Sequence, residues 1–328
     1  MSGPGVDRVR LAGLLSSVFG GRRGLDAVTR LRGGSKKGVY RLGFDDGFSA
    51  ILYVWSAGEN YWPERDAEPE PFADGTGADL FGAAHRTLDE LGVRVPELYV
   101  LDRSRSVYPE DVALVEDVRG GSLEALLKTD PAGGRQALDR LGSALRVMHG
   151  HTAPRAGKVA LVERGESVPA DSCEQAVTDR ALRHIAEIAV RDERGARART
   201  RLDDAVRTRA AAVEPRSEYR LIHGELGPDH VLVGPDGELV VIDIEGLMYF
   251  DVEWEHVFLA HRFKGGYEPL RVPGLDDARL RLYTLANHLS LVAGPLRLLD
   301  GDFPDREAMA GIAEHNLAMV LALVSAPG

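Results

Sequence analysis

Apolar and polar positions divide the chain into a strand-rich first third and a helix-rich remainder. Residues 7–30 place Val9, Leu11, Leu14, Leu15 and Val18 at helical spacing ahead of Gly20 and Gly21, which predicts an N-terminal helix. Residues 31–42 read as strand, glycine-rich turn and strand, and Asp45, Asp46 and Gly47 turn the chain into a third strand over 49–55. A helix is expected over 78–91 and two more strands over 98–101 and 112–115. A further helix then starts behind Ser122, with Gly120 and Gly121 as a hinge. From 131 to 213 the period is helical. Leu138, Leu141, Leu145 and Met148 share an apolar face that ends at His149, a capping or core histidine by this reading, and 174–213 alternates alanine with charge as a solvated helical face does. Residues 276–326 predict terminal helices.

The densest chemistry lies in 219–256. Leu221 and Ile222 form an apolar run that delivers His223, Gly224 and Glu225 at its end, with Asp229 and His230 close behind. Val231, Leu232 and Val233 then pair through Gly234-Pro235-Asp236-Gly237 with Leu239 to Ile242, a hairpin signal that ends on Asp243. The hairpin would let Glu225, Asp229, His230, Asp243 and Glu245 converge. Carboxylates gathered in this way repel one another unless a cation sits between them, and an oxygen-rich cluster suits Mg²⁺.

Composition narrows the classes. A chain of 328 residues with 44% hydrophobic and 28% charged positions has room for two cores. A net charge of -11 argues against a nucleic-acid partner and suits a cationic small molecule, although acidity that merely keeps the chain soluble accounts for it equally well. The lone Cys173 rules out an intramolecular disulfide or a multi-cysteine metal site, and its acidic neighbours mark it as inert. No secretory layout or uninterrupted apolar run of membrane-spanning length is visible, so no membrane partner and a cytoplasmic location are expected.

The order His223-Gly224-Glu225-Leu226, His230, hairpin, Asp243-Ile244-Glu245 resembles the catalytic core of the aminoglycoside phosphotransferase family. That family's usual form is H-G-D-L-x-x-x-N, a hairpin, then D-x-D or D-x-E. The resemblance spans residues 31–258, with Glu225 in place of the family's catalytic Asp and His230 in place of its metal-binding Asn. It implies an α+β, two-lobed protein-kinase-like fold: a small antiparallel β lobe over 1–117 that binds nucleotide, and a larger helical lobe over 118–328 with the catalytic loop and metal site. ATP or GTP would donate a phosphoryl group to a hydroxyl of a small, antibiotic-like molecule.

Residue by residue, the resemblance makes Glu225 the proton acceptor and His223 a brace for its loop. Asp243 would bind Mg²⁺ with Glu245 assisting, and His230 would take a second metal or phosphate contact, which Mn²⁺ tolerates better. Gly33, Gly34, Ser35, Lys36, Lys37 and Gly38 would form the phosphate turn, Glu116 and Val118 the adenine-holding join, and Asp251 the support of the catalytic loop. The family's third-strand lysine is missing, with Tyr53 standing in its place, and the helix over 78–91 lacks the partner glutamate.

The residues leave alternatives open. Either Lys36 or Lys37 reaches the phosphates instead, or both are solvated surface lysines. The glycine-rich turn is no Walker A loop, because Val39 and Tyr40 follow Gly38. With three functional groups altered, a catalytically degraded nucleotide- or ligand-binding relative is the alternative to an active transferase. A zinc deaminase built on His223-Gly224-Glu225 would need a downstream P-C-x-x-C, and the single cysteine lies upstream. The proline- and acid-rich insert over 56–77 cannot form a regular element. Its Glu59-Asn60-Tyr61-Trp62 stretch either packs on the first lobe or touches a ligand.

Overall fold

Strict alternation of buried and half-buried positions along residues 38–44 sets the first half of the architecture, because a period of two buries one face of a strand. The computed structural model describes residues 6, 8–31, 34–62, 72, 76–166 and 172–325. In chain order the elements begin with α1 (Arg8–Phe19), β1 (Leu25–Arg30), β2 (Gly38–Phe44), β3 (Ser49–Trp55), α2 (Ala78–Glu90), β4 (Leu98–Asp102) and β5 (Asp111–Glu116). Next come α3 (Leu123–Thr129), α4 (Pro131–Gly150), β6 (Thr152–Ala153), β7 (Gly157–Lys158), α5 (Val159–Glu163), α6 (Cys173–Arg191) and α7 (Glu193–Ala210). The chain closes with β8 (Tyr219–Ile222), β9 (Val231–Val233), β10 (Leu239–Val241), β11 (Met248–Phe250), α8 (Val252–Phe263), α9 (Asp277–Asp300) and α10 (Arg306–Ser325).

Two compact units form, one from Met1–Trp62, Asp74–Arg140 and Pro228–Gly246, the other from Pro63–Ala73, Leu141–Gly227 and Leu247–Gly328. This grouping differs from a single cut after residue 117, because residues 118–140 and the β9–β10 hairpin join the sheet unit. In that unit an antiparallel sheet runs in the order β1-β2-β3-β5-β4. Leu11, Leu14 and Leu15 of α1 pack on Tyr40, Leu42, Leu52, Val54, Val112 and Leu114. The N-terminal helix ends where the sequence places its stop, at Gly20 and Gly21, which take positive φ, and residues 25–30 form β1.

The hairpin forms as the sequence indicates, with Val233 opposite Leu239 and Val231 opposite Val241. Val233 N–H donates to the Gly121 carbonyl at 2.9 Å, and Val241 N–H to that of Arg94 at 2.8 Å. A Cβ on Gly120 would stand 1.9 Å from the Val233 carbonyl oxygen, so only glycine permits this approach.

In the other unit a small sheet, in the order β6-β8-β11-β7, carries Leu221 and Ile222, fully buried, at the end of β8. The helical run expected over 174–213 breaks into α6 and α7, because the Asp192 carboxylate accepts from the N–H groups of Arg194 and Gly195 and caps a new helix. The two short strands β6 and β7 interrupt the pattern read as helical. Around α8, Asp251 accepts from Arg279 Nε at 2.8 Å and the Tyr283 hydroxyl at 2.5 Å, while Glu253 accepts from Arg216 and from Asp276 N–H. Removing one partner of such a buried ionic network costs about 3–5 kcal/mol. Cys173 is buried and its thiol pKa is pushed well up by burial, which keeps it protonated. No uninterrupted apolar run is present in α10, but by length and mean composition it is one helix that could cross a membrane, a test that core helices also pass. Its Ala313, Asn316, Leu317 and Val320 are buried, Asn316 bonds His288 of α9, and Glu314 pairs with Arg194 of α7.

His149 is a core residue, 4% exposed, with its ring 5.5 Å from that of His256. Burial, aided by the neighbouring His256, lowers the His149 pKa from 6.5 to about 3, and burial lowers that of His256 to about 4. The fold therefore holds His149 neutral, while the unfolded chain protonates it below pH 6.5. The stabilisation is complete above that pH and is lost as pH falls towards the folded value. The stability of wild type relative to His149→Leu in urea unfolding should fall by about 2 kcal/mol between pH 7 and pH 5. A difference that stays flat over that range contradicts the assignment.

Candidate active site

The glycine-rich turn between β1 and β2 is held by residues near both ends of the insert that follows β3. Tyr61 N–H donates to the Ser35 carbonyl at 2.9 Å, Trp62 Nε1 donates to Ser35 Oγ at 2.8 Å, and Thr76 Oγ1 donates to the Lys36 carbonyl. Lys36 Nζ lies 5.6 Å from the Trp62 ring centroid. The Glu59–Trp62 stretch thus packs within its own unit. Gly38 is required by packing: a Cβ there would meet the Tyr40 ring at 2.7 Å and the Glu59 side chain at 2.8 Å. Glu59 is buried and accepts from Arg30 and from the Tyr40 hydroxyl. Gly34 takes a positive φ in the same turn, and Gly33 lies outside the described residues.

Lys37 corrects the surface-lysine alternative. Its side chain is 8% exposed, and Nζ donates to Asp243 Oδ1 at 2.9 Å and, in a shorter contact, to Glu245 Oε1. Burial by itself would lower the Lys37 pKa, but the Asp243 and Glu245 carboxylates outweigh it and raise the pKa well above its usual value. The ammonium also lies 5.0 Å from the ring centroid of Tyr53, the residue at the third-strand position where the family lysine would stand. Tyr53 is buried, and burial pushes its hydroxyl pKa up to about 12 despite the opposing Lys37 charge, so it stays protonated.

The hairpin places the acids. Ile242 N–H donates to the His230 carbonyl at 3.0 Å, which extends the ladder by one pair and sets His230 beside the chain that leaves β10. Asp243 then adopts φ +60°, a left-handed conformation an aspartate tolerates better than most residues, and Ile244–Gly246 forms a 3-10 turn. His230 Nε2 lies 3.8 Å from Asp243 Oδ2 and 3.8 Å from Asp229 Oδ2. Lys37, Asp229, His230, Asp243 and Glu245 are therefore one cluster.

Among the described residues no three His, Cys, Asp or Glu side chains are arranged as a cage for a metal. The donor set still fits a hard cation, since Mg²⁺ commonly takes one or two carboxylates and leaves the rest of its shell to phosphates and water. Asp243 and Glu245 supply such oxygens, and Glu245 Oε2 is buried without a hydrogen-bond partner.

In the other unit, β8 delivers the His223–Glu225 loop. Residues from Leu221 to Pro228 are buried except Glu225, which is exposed. The exception follows from α8: Glu255 Oε2 accepts from His223 N–H at 2.5 Å and Gly224 N–H at 3.4 Å, and the carboxylate also takes a bond from Leu226 N–H. Burial raises the Glu255 pKa to about 7, against the lowering effect of those three donors. The loop support expected of Asp251 thus belongs to Glu255, four residues on, while Asp251 serves the Arg279–Tyr283 network. The readable signal was a further acid four residues after Asp251, on the buried first turns of α8.

The residues joining β5 to α3 are equally fixed. The Glu116 carboxylate accepts from Arg94 at 2.5 Å and from Glu97 N–H at 3.1 Å, and Val118 is buried. Asp117 takes both arms of Arg41, and Ser122 caps α3 through Ala125 N–H.

Solved structures share the fold. Spectinomycin phosphotransferase APH(9)-Ia, solved with ADP and spectinomycin, has 14% identity and a TM-score of 0.64, over 96% of this chain and 98% of its own. Aminoglycoside phosphotransferase APH(4)-Ia has 16% identity and a TM-score of 0.63, over 98% and 100%. APH(2")-IIia with GDP and kanamycin has 18% identity and a TM-score of 0.60, over 97% and 99%. The α+β, kinase-like architecture is that of these proteins. No curated protein sequence matches significantly. The phosphotransferase enzyme family, APH, matches residues 28–290. With most of its length matched, the chain belongs to the APH phosphotransferase enzyme family.

Proposed function

We propose that the chain transfers the γ-phosphoryl group of ATP or GTP to a hydroxyl of a small, cationic, aminoglycoside-like molecule. The observation that carries this reading is Glu225, a single exposed carboxylate on a loop whose neighbours are all buried. A proton acceptor must reach a substrate while its backbone stays fixed, and the Glu255 clamp on both sides of Glu225 provides that. The ADP with spectinomycin and GDP with kanamycin in the fold relatives support a nucleotide and an aminoglycoside-type acceptor. The net charge of -11 suits a polycationic acceptor.

In this mechanism a Glu225 carboxylate oxygen accepts the proton of the acceptor hydroxyl as its oxygen bonds to the γ-phosphorus. The bond from that phosphorus to the β,γ-bridging oxygen breaks, and the nucleoside diphosphate departs. Lys37 supplies positive charge at the glycine-rich turn in place of the missing third-strand lysine. Asp243 and Glu245, with His230 beside them, are the residues that would hold Mg²⁺ or Mn²⁺, which when bound neutralises charge on the phosphates. The longer glutamate at 225 is compatible with catalysis when the acceptor sits correspondingly farther out. Cytoplasmic placement goes with this reading, since nucleoside triphosphates are found there.

Calorimetry with Mg²⁺ or Mn²⁺ should show metal-dependent nucleotide binding by wild type that Asp243→Ala abolishes. An absence of binding with either ion would remove the transferase reading. Glu225→Gln should keep nucleotide affinity and lower kcat by about 100-fold or more. A wild type that binds nucleotide yet turns over no hydroxylated aminoglycoside would favour the degraded-binder alternative.

Glu255 must be ionised to accept all three amide N–H groups, so wild-type kcat should fall as pH drops below about 7. Glu255→Gln should lower kcat by about tenfold or more at pH 8, leave nucleotide affinity intact and flatten that limb of the profile. An unchanged profile would show that the clamp does not position Glu225.

A further inference from the structure

Two carboxylates that converge on one point need a cation, and here the chain provides its own. We propose that the Lys37 ammonium is a resident counter-cation that keeps a divalent ion off Asp243 and Glu245 until nucleotide phosphates draw the lysine away. Metal then loads with the nucleotide or after it, never before. The nucleotide step rests on the phosphotransferase reading, whereas the competition between lysine and metal does not.

The geometry carries the competition. Nζ reaches Asp243 Oδ1 at 2.9 Å and contacts Glu245 Oε1, so it occupies the oxygens a hard cation would use. A divalent ion placed on those oxygens with Lys37 still present would put like charges in contact inside a region where Lys37 and Glu245 are both nearly solvent-free. The ammonium is further held over the Tyr53 ring, a contact that a lysine at residue 53 would have removed. Lysine is suited to leave, because it is a point charge on a flexible four-carbon stem.

Two features prepare the acids for the exchange. Glu245 Oε2 is buried and lacks a hydrogen-bond partner, so one acceptor is unsatisfied while Lys37 holds the other oxygen. The Asp243 side chain is 47% exposed, which leaves an open side for an incoming ion and its water. Lys37 itself sits at the end of the glycine-rich turn, immediately before β2. A triphosphate bound at that turn carries more negative charge than two carboxylates, and the lysine moves to it.

Mn²⁺ titration of the full-length, nucleotide-free chain, followed by electron paramagnetic resonance of the unbound ion, tests the competition. Lys37→Met should bind one Mn²⁺ at least about tenfold more tightly than wild type, and adding Asp243→Asn should remove that gain. Equal Mn²⁺ affinity in wild type and Lys37→Met overturns the proposal. Should Lys37→Met fail to fold, wild type still decides the matter. A non-hydrolysable triphosphate should raise its Mn²⁺ affinity above that of either protein or nucleotide alone, and saturation of the nucleotide-free protein at the same Mn²⁺ concentration overturns the order of loading. If Lys37→Met gains Mn²⁺ while calorimetry finds no triphosphate binding, the competition stands and the phosphotransferase reading fails.

Discussion

A buried ammonium sets the terms for the sheet unit. Lys37 lies 206 residues before Asp243 and 208 before Glu245, yet the three meet, with Lys37 and Glu245 nearly solvent-free and Asp243 half-exposed. Any one of them left alone would be an uncompensated buried or half-buried charge, so the glycine-rich turn and the end of the hairpin must close on each other. That closure explains the tyrosine at position 53. An amine on β3 would bring a second cation to the same two acids, whereas an aromatic face accepts the one already there. It also gives a reason for a left-handed aspartate at position 243, since strain of that kind persists where surrounding contacts overdetermine it.

The helical unit solves a different problem with similar means. A loop must leave β8, expose one carboxylate and bury everything around it, which strands several backbone N–H groups away from water. Glu255 takes three of them with one side chain. The resulting carboxylate has few routes to solvent, and its raised pKa follows from burial. Asp251, expected to do this work, is instead committed to Arg279 and Tyr283 and fixes α8 against α9.

Much of this was legible in the residues because it is local. The β9–β10 hairpin register follows from a four-residue turn, β2 from period-two burial, β3 and β5 from short apolar runs, and the capped start of α3 from Ser122. The family layout of His223, Glu225, Asp243 and Glu245 was readable from spacing. What the sequence withheld depends on long-range partners. Nothing in the pair Lys36-Lys37 distinguishes the lysine near Trp62 from the one buried on two acids, because the difference lies in residues 243 and 245. Asp251 and Glu255 are likewise two acids on one helix, told apart only by whether β8 or α9 faces them. The strands β6 and β7 went unread because two-residue strands carry too few positions to show a period.

The discontinuity of the sheet unit has a consequence for the order in which the protein is made. Gly120 and Gly121 are shaped to receive Val233, and the unit is completed by Pro228–Gly246. A ribosome delivers the five strands first and the closing hairpin only after Leu141–Gly227 has followed. Throughout that interval the nascent sheet has a backbone notch at Gly120 and a lysine without its acids. Cooperative closure of this unit must therefore wait for a segment that emerges after most of another unit has been synthesised.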